Sequence, residues 1–231
     1  MKKNDLIFIL AIVLLLLPFF IFPDVYNFYK SFNKDHGMIM SFIKFAILAT
    51  LGESIGLRIK SGVYNHKGFG IFPRAIVWGI LGLGIKMSFV IFSVGMPAFI
   101  NYMGIENAVE MFKGDLSWGK VFIAFCVSTS MNLIFAPVFM TLHKITDTHI
   151  INNGGTLKGF FSPIKFKEIF PSLNWSVQWD FVFKRTIPFF WIPAHTITFC
   201  LPEEWQILFA ALLGVVLGIL LSIAAIMGQK K

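Results

Sequence analysis

Long apolar runs, joined by segments that carry basic charge unequally, are the feature that most constrains this chain. The runs lie at about 6–23, 38–57, 74–100, 118–142, 184–201 and 206–227. Each is close to the roughly 20 residues that a helix needs to cross a hydrocarbon core about 30 Å thick. The connecting segments form two alternating sets. Lys2, Lys3, Arg58, Lys60, Lys67, Arg74, Lys144, Lys158, Lys165, Lys167, Lys184, Arg185, Lys230 and Lys231 fall in or beside the set that contains the N-terminus. Lys30, Lys34, Lys113 and Lys120 fall in or beside the other. Lys and Arg accumulate in cytoplasmic loops. The expected fold is therefore all-α: a polytopic transmembrane bundle of about six spans with both termini cytoplasmic.

Composition agrees with this reading. The chain is 56% hydrophobic and 14% charged, with a mean hydropathy of +0.75. A soluble domain carries nearer a quarter charged residues. Six spans and their loops account for all 231 residues, so one integral membrane domain over 1–231 is expected. Lys2 and Lys3 followed by an apolar run could form a secretory signal. The run closes on Phe22-Pro23-Asp24, a poor cleavage site, so a retained first helix is expected. The net charge of +8 lies mainly in the loops, where topology and anionic headgroups explain it without nucleic acid. Cys126 and Cys200 lack metal-type spacing and read as small apolar residues.

Local composition adds detail. Residues 24–37 mix Tyr26, Phe28, Tyr29 and Phe32 with Lys and Asn, as interfacial connections do. Lys44 is expected to snorkel to the nearer surface. Gly79, Gly82 and Gly84 permit close helix approach. Gly214 and Gly218 form a small-residue face that packs within the chain or supports a homo-oligomer. Phe160, Phe161, Phe166 and Phe170 around Lys165 and Lys167 suggest a segment lying on the membrane surface. Pro137, Pro188 and Pro193 are expected to kink their helices.

Polar groups within the runs point to function, since burying them in a membrane is costly. At about 1.5 Å per residue, Lys86, Asn132 and His195 fall about 15–18 Å from the basic ends of their runs. They are expected to line one polar midplane cavity with Ser128 and Thr198 nearby, or else to pair separately with backbone carbonyls. Lys86 would supply positive charge suited to small anionic solutes. Glu53 reads as part of a salt bridge, or as a gate at the cytoplasmic mouth. Catalysis is not expected. His143, Asp147 and His149 have no usual ligand spacing, and hydrolase, zinc-protease and phosphate-loop motifs are missing from the sequence. No metal or cofactor is expected.

The later part of the chain resembles a known family. Trp191-Ile192-Pro193-Ala194-His195-Thr196-Ile197-Thr198-Phe199, followed by Pro202, is similar to the closing signature of the Mpv-seventeen/PMP-twenty-two family of small mitochondrial and peroxisomal membrane proteins. His195 stands where that family usually has Gln, and Thr198 where it has Asn. Phe135-Ala136-Pro137 resembles its Phe-Ala-Pro step, with Asn132 near its Gln. Gly52-Glu53 resembles its Gly-Asp pair, and Arg74 the arginine opening its next helix. Residues 38–228 would then be the family-like bundle and 1–37 an addition. The family's Gly-Pro-x-x-His motif is not preserved around Gly84–Phe89, and its members usually have four spans. The resemblance implies a channel or permease-like role for small solutes. A substrate-binding subunit of a larger transporter, and a structural membrane protein without a transport path, are the alternatives. The expected partners are the lipid bilayer and an unidentified small solute, in a bacterial plasma membrane.

Overall fold

The computed structural model describes Lys3–Gln229, with side chains described through Leu220 and at Ser222. Lys2, Lys230 and Lys231, which enter the topology argument, lie outside the described residues. The described residues form helices and connections and no strands. In chain order the helices are α1 Lys3–Ile21, α2 Pro23–Asp35, α3 Gly37–Ser61, α4 Ile71–Tyr102, α5 Ala108–Lys113, α6 Trp118–Ile134, α7 Ala136–Asn152, α8 Leu157–Phe160, α9 Phe166–Ser172 and α10 Trp175–Val177. A π-helical segment Gln178–Trp191, α11 Ile192–Cys200 and α12 Glu203–Gln229 complete the chain.

Among the described residues, four helices are long and apolar enough to cross a membrane: α1, α3, α4 and the Glu203–Leu220 part of α12. The pair α6 and α7, bent by 46°, makes a fifth if counted as one broken span. The run expected at 184–201 is not among them. Its first part is wound as a π-helix that starts earlier, at Gln178, and takes in Asp180, Lys184 and Arg185. The remaining nine residues of α11 extend only about 14 Å.

The chain divides into two compact units at Met40/Ser41. In the first, α1 carries exposed apolar side chains along its length, and Phe19 meets Tyr29 of α2 edge to face at 5.5 Å. Pro23 opens α2, where a missing N–H costs nothing because the first turn has no acceptor for it.

The second unit is organised around α6. Ile123, Ala124, Val127, Ser128, Met131 and Asn132 are all buried, and their spacing of three and four residues places them on one stripe. The Ser128 hydroxyl donates to Ile192 O at 2.8 Å and ties α6 to α11. Phe45, Phe89, Phe199 and Ile207 join this core from α3, α4, α11 and α12.

Small residues set the closest approaches. Ser41 Oγ donates to Gly82 O at 2.7 Å, and a Cβ on Gly82 would lie 2.7 Å from Phe45 Cβ. A Cβ on Gly52 would lie 2.8 Å from Val215 Cα. A Cβ on Gly218 would lie 3.3 Å from Gly52 O, so this face of α12 packs against α3 within the chain. Packing of this kind brings backbones together where apolar burial offers little drive between helices in lipid.

Pro137 sits in the first turn of α7, just after the bend at Phe135. Helix then continues to Asn152, well past the expected end near 142. That continuation matters, because it makes His143 and Asp147 residues of one helical face rather than of a loop.

Candidate functional site

Side chains from three helices meet at the start of α4. Glu53 comes from α3, Arg74 and Trp78 from α4, and His143 and Asp147 from α7. Arg74 and Trp78 are four residues apart, as are His143 and Asp147, so each pair projects from one side of its helix. Glu53 Oε2 accepts from Arg74 Nη1 at 2.6 Å, and Oε1 accepts from the Trp78 indole at 2.9 Å. His143 Nε2 lies 3.3 Å from the same Oε1. A carboxylate can only accept, so this nitrogen carries the hydrogen.

Arg74 is held from every side. Its Nη2 pairs with Asp147 Oδ1, its Nε donates to Phe69 O at 2.7 Å, and its guanidinium lies over the Phe69 ring at 4.5 Å. Lys144 reaches Asp147 Oδ2 at 3.1 Å from a half-exposed position. The Trp78 and His143 rings pack at 4.4 Å between centroids. Arg74 suits this place because its planar fork serves two carboxylates and a carbonyl at once.

Glu53, Trp78 and His143 of this cluster line one end of a cavity of about 290 Å³. Four stripes at helical spacing form its walls: Phe45, Ala49 and Glu53; Trp78, Ile85 and Ser88; Ala136, Phe139 and His143; Ala210, Gly214 and Leu217. Met131, Asn132, Phe135, Trp191 and His195 are among the residues that fill the gaps between them. Ser88 lies ten residues beyond Trp78 on α4, so the cavity runs about 15 Å from its Glu53 end to its Ser88 end. Hydrogen-bonding groups occupy the two ends, and apolar and aromatic side chains the length between.

At the Ser88 end, the hydroxyls and the amide bond to their own helices or close neighbours, whereas the buried Trp191 indole N–H has no hydrogen-bond partner. Ser88 Oγ donates to Ile85 O at 2.9 Å, and Asn132 Nδ2 donates to Ser128 O at 2.9 Å. His195 stacks on Trp191 at 5.2 Å and meets the edge of Phe89 at 5.4 Å. Thr198 Oγ1 donates to Ala194 O at 2.9 Å and lies 3.4 Å from His195 Nδ1. With its hydroxyl hydrogen committed, Thr198 accepts from Nδ1–H.

The residues singled out in the sequence therefore separate. Glu53, Asn132 and His195 line the cavity; Lys86, Ser128 and Thr198 do not. Lys86 instead pairs with Glu203 at 3.3 Å, so the cavity takes no positive charge from it. Ser128 and Thr198 are fully buried in helix contacts. His149 turns away from His143 and Asp147 and lies 3.1 Å from Phe160 O.

Sequence reasoning passes over Trp78, and weighs His143 and Asp147 only as metal ligands of unsuitable spacing. Their i,i+4 spacing was the available signal, hidden because the helix was expected to end before them. Comparison with known proteins adds nothing to this geometry: no family model, no curated protein and no solved structure matches the chain. The motif resemblance thus rests on its residues alone.

Proposed function

We propose that the protein is a permease-like membrane protein whose solute site is the cavity between α3, α4, α6, α7, α11 and α12. The observation that carries this reading is the cavity itself, about 290 Å³ of space walled in large part by helices of membrane-spanning length and composition. That volume corresponds to about ten waters at their liquid share of about 30 Å³ each. Concave, mainly apolar sites with a few placed polar groups are the usual form of small-molecule sites. The resemblance to the Mpv-seventeen/PMP-twenty-two family points the same way.

A permease fits better than an open ion channel. The walls between the cavity's two ends are apolar, whereas a conducting path replaces hydration with rings of carbonyls or charges. The Glu53–Arg74–His143 cluster stands at one end and serves as the gate in this reading. On the same reading, the basic segment that follows Glu53, with Arg58, Lys60 and Lys67, sets that gate toward the cytoplasm.

The test is flux through purified protein in sealed vesicles, using a panel of small neutral, cationic and anionic solutes. The expected result is saturable flux of one class with little ohmic conductance. Conductance that rises linearly with voltage and salt would contradict the carrier-like reading. Saturable binding without flux would favour the alternative of a substrate-binding subunit.

A further inference from the structure

The cavity's lining contains one residue of fixed charge type, and it is acidic. Among the described residues that form the walls, Glu53 is the sole Asp, Glu, Lys or Arg. Arg74 pairs with Glu53 from behind the cavity wall and is shared with the carboxylate of Asp147. Two carboxylates around one guanidinium leave this buried trio with a formal charge of −1. Lys144, which pairs with Asp147, is half exposed and screened by water. His143, held at Glu53 Oε1, is a further titratable neighbour, and the charge of −1 holds with its imidazole neutral.

The walls beside that oxygen are aromatic. Trp78 packs on His143, and Phe45 and Phe139 also line the cavity. Ring faces attract cations, and the attraction strengthens where water is excluded. Arg74 presents its charge to Glu53 Oε2, leaving Oε1 with the indole and imidazole. The Glu53 side chain is 20% exposed against 9% for Arg74, so the accessible member of the pair is the anion.

We propose that the cavity takes a lipophilic organic cation, with its charge beside Glu53 Oε1 and its apolar body along the aromatic walls towards Ser88. This rests on the cavity being the solute site, and it replaces the anionic solute expected from Lys86. A hydrated inorganic cation is disfavoured, because the walls offer too few oxygens to replace its water.

The experiment is equilibrium binding to the purified full chain in detergent micelles. The probe is radiolabelled benzyltrimethylammonium, competed by its neutral isostere neopentylbenzene and by the anion benzenesulfonate. The expected result is saturable binding of the cation, with the neutral and anionic probes at least about tenfold weaker, a factor equal to 1.4 kcal/mol. Glu53→Gln is expected to remove most of that preference, while Glu203→Gln, altered outside the cavity, keeps it. If Glu53→Gln does not fold, the three-probe comparison on the intact chain decides, with Ala210→Phe expected to abolish binding by filling the cavity.

Equal binding of cation and neutral isostere, preference for the anion, or no saturable binding of the cation would each overturn the proposal. Its failure is separable from failure of the permease reading. Flux without cation preference removes the inference alone, whereas cation binding without flux removes the permease and keeps the site.

Discussion

The two ends of the cavity are both polar and mostly buried, yet they are built in opposite ways. At the Glu53 end the bonds made by Glu53, and the Arg74–Asp147 pair, cross between helices: Glu53 of α3 to Arg74 and Trp78 of α4, and both elements to α7. At the Ser88 end the hydroxyls and the amide mostly bond three or four residues back along their own helices. A locally satisfied group survives rearrangement of its neighbours. A group satisfied across three helices holds them in register, and is left exposed in a poor solvent when they part. The difference suits the two ends to different structural tasks, fixing the bundle at one and lining the wall at the other.

Substitutions can break this contrast. The largest effect is expected for Arg74→Met, which strands Glu53 and Asp147 without their shared cation. Removing one partner of a buried pair costs about 3–5 kcal/mol. Reversible unfolding in bicelles, followed by tryptophan fluorescence, should register it, and a loss under 1 kcal/mol would mean that the cluster does not hold the helices together. Trp78→Phe keeps the ring but removes the indole donor to Glu53. A loss of about 1–3 kcal/mol is expected, the usual cost of a charge-assisted hydrogen bond. Asn132→Ala removes only local bonds, and about 1 kcal/mol is expected. If Asn132→Ala proved costlier than Trp78→Phe, the distinction between the ends would fail. Lys86→Met comes last, at under about 1 kcal/mol, because its partner Glu203 is largely exposed.

Much of the bundle was legible in the sequence for a simple reason. Runs of some twenty apolar residues leave a helix few alternatives in a membrane, and α3, α4 and α12 lie close to the expected runs. Asn132 and His195 stood out because polar side chains are conspicuous in apolar helices. What the sequence concealed was partnership. Glu53 and Arg74 are twenty-one residues apart and Glu53 and His143 ninety, so nothing local pairs them. Lys86 drew attention by depth alone, but its long stem lets the ammonium reach Glu203 at the start of α12. The split of the 184–201 run was hidden too, since hydropathy does not register a change from α to π winding.

The most direct test of the central claim compares two substitutions on α12. Ala210 is buried and lines the cavity, whereas Val216 lies on an exposed face of the same helix. Saturable solute flux is measured in sealed vesicles for the intact chain, Ala210→Phe and Val216→Phe, each shown to be folded by its unfolding midpoint. The account predicts that Ala210→Phe loses flux by about tenfold or more, since a filled cavity forfeits at least about 1.4 kcal/mol of solute interaction, and that Val216→Phe keeps it. Full flux through folded Ala210→Phe would contradict the claim that solute passes through this cavity.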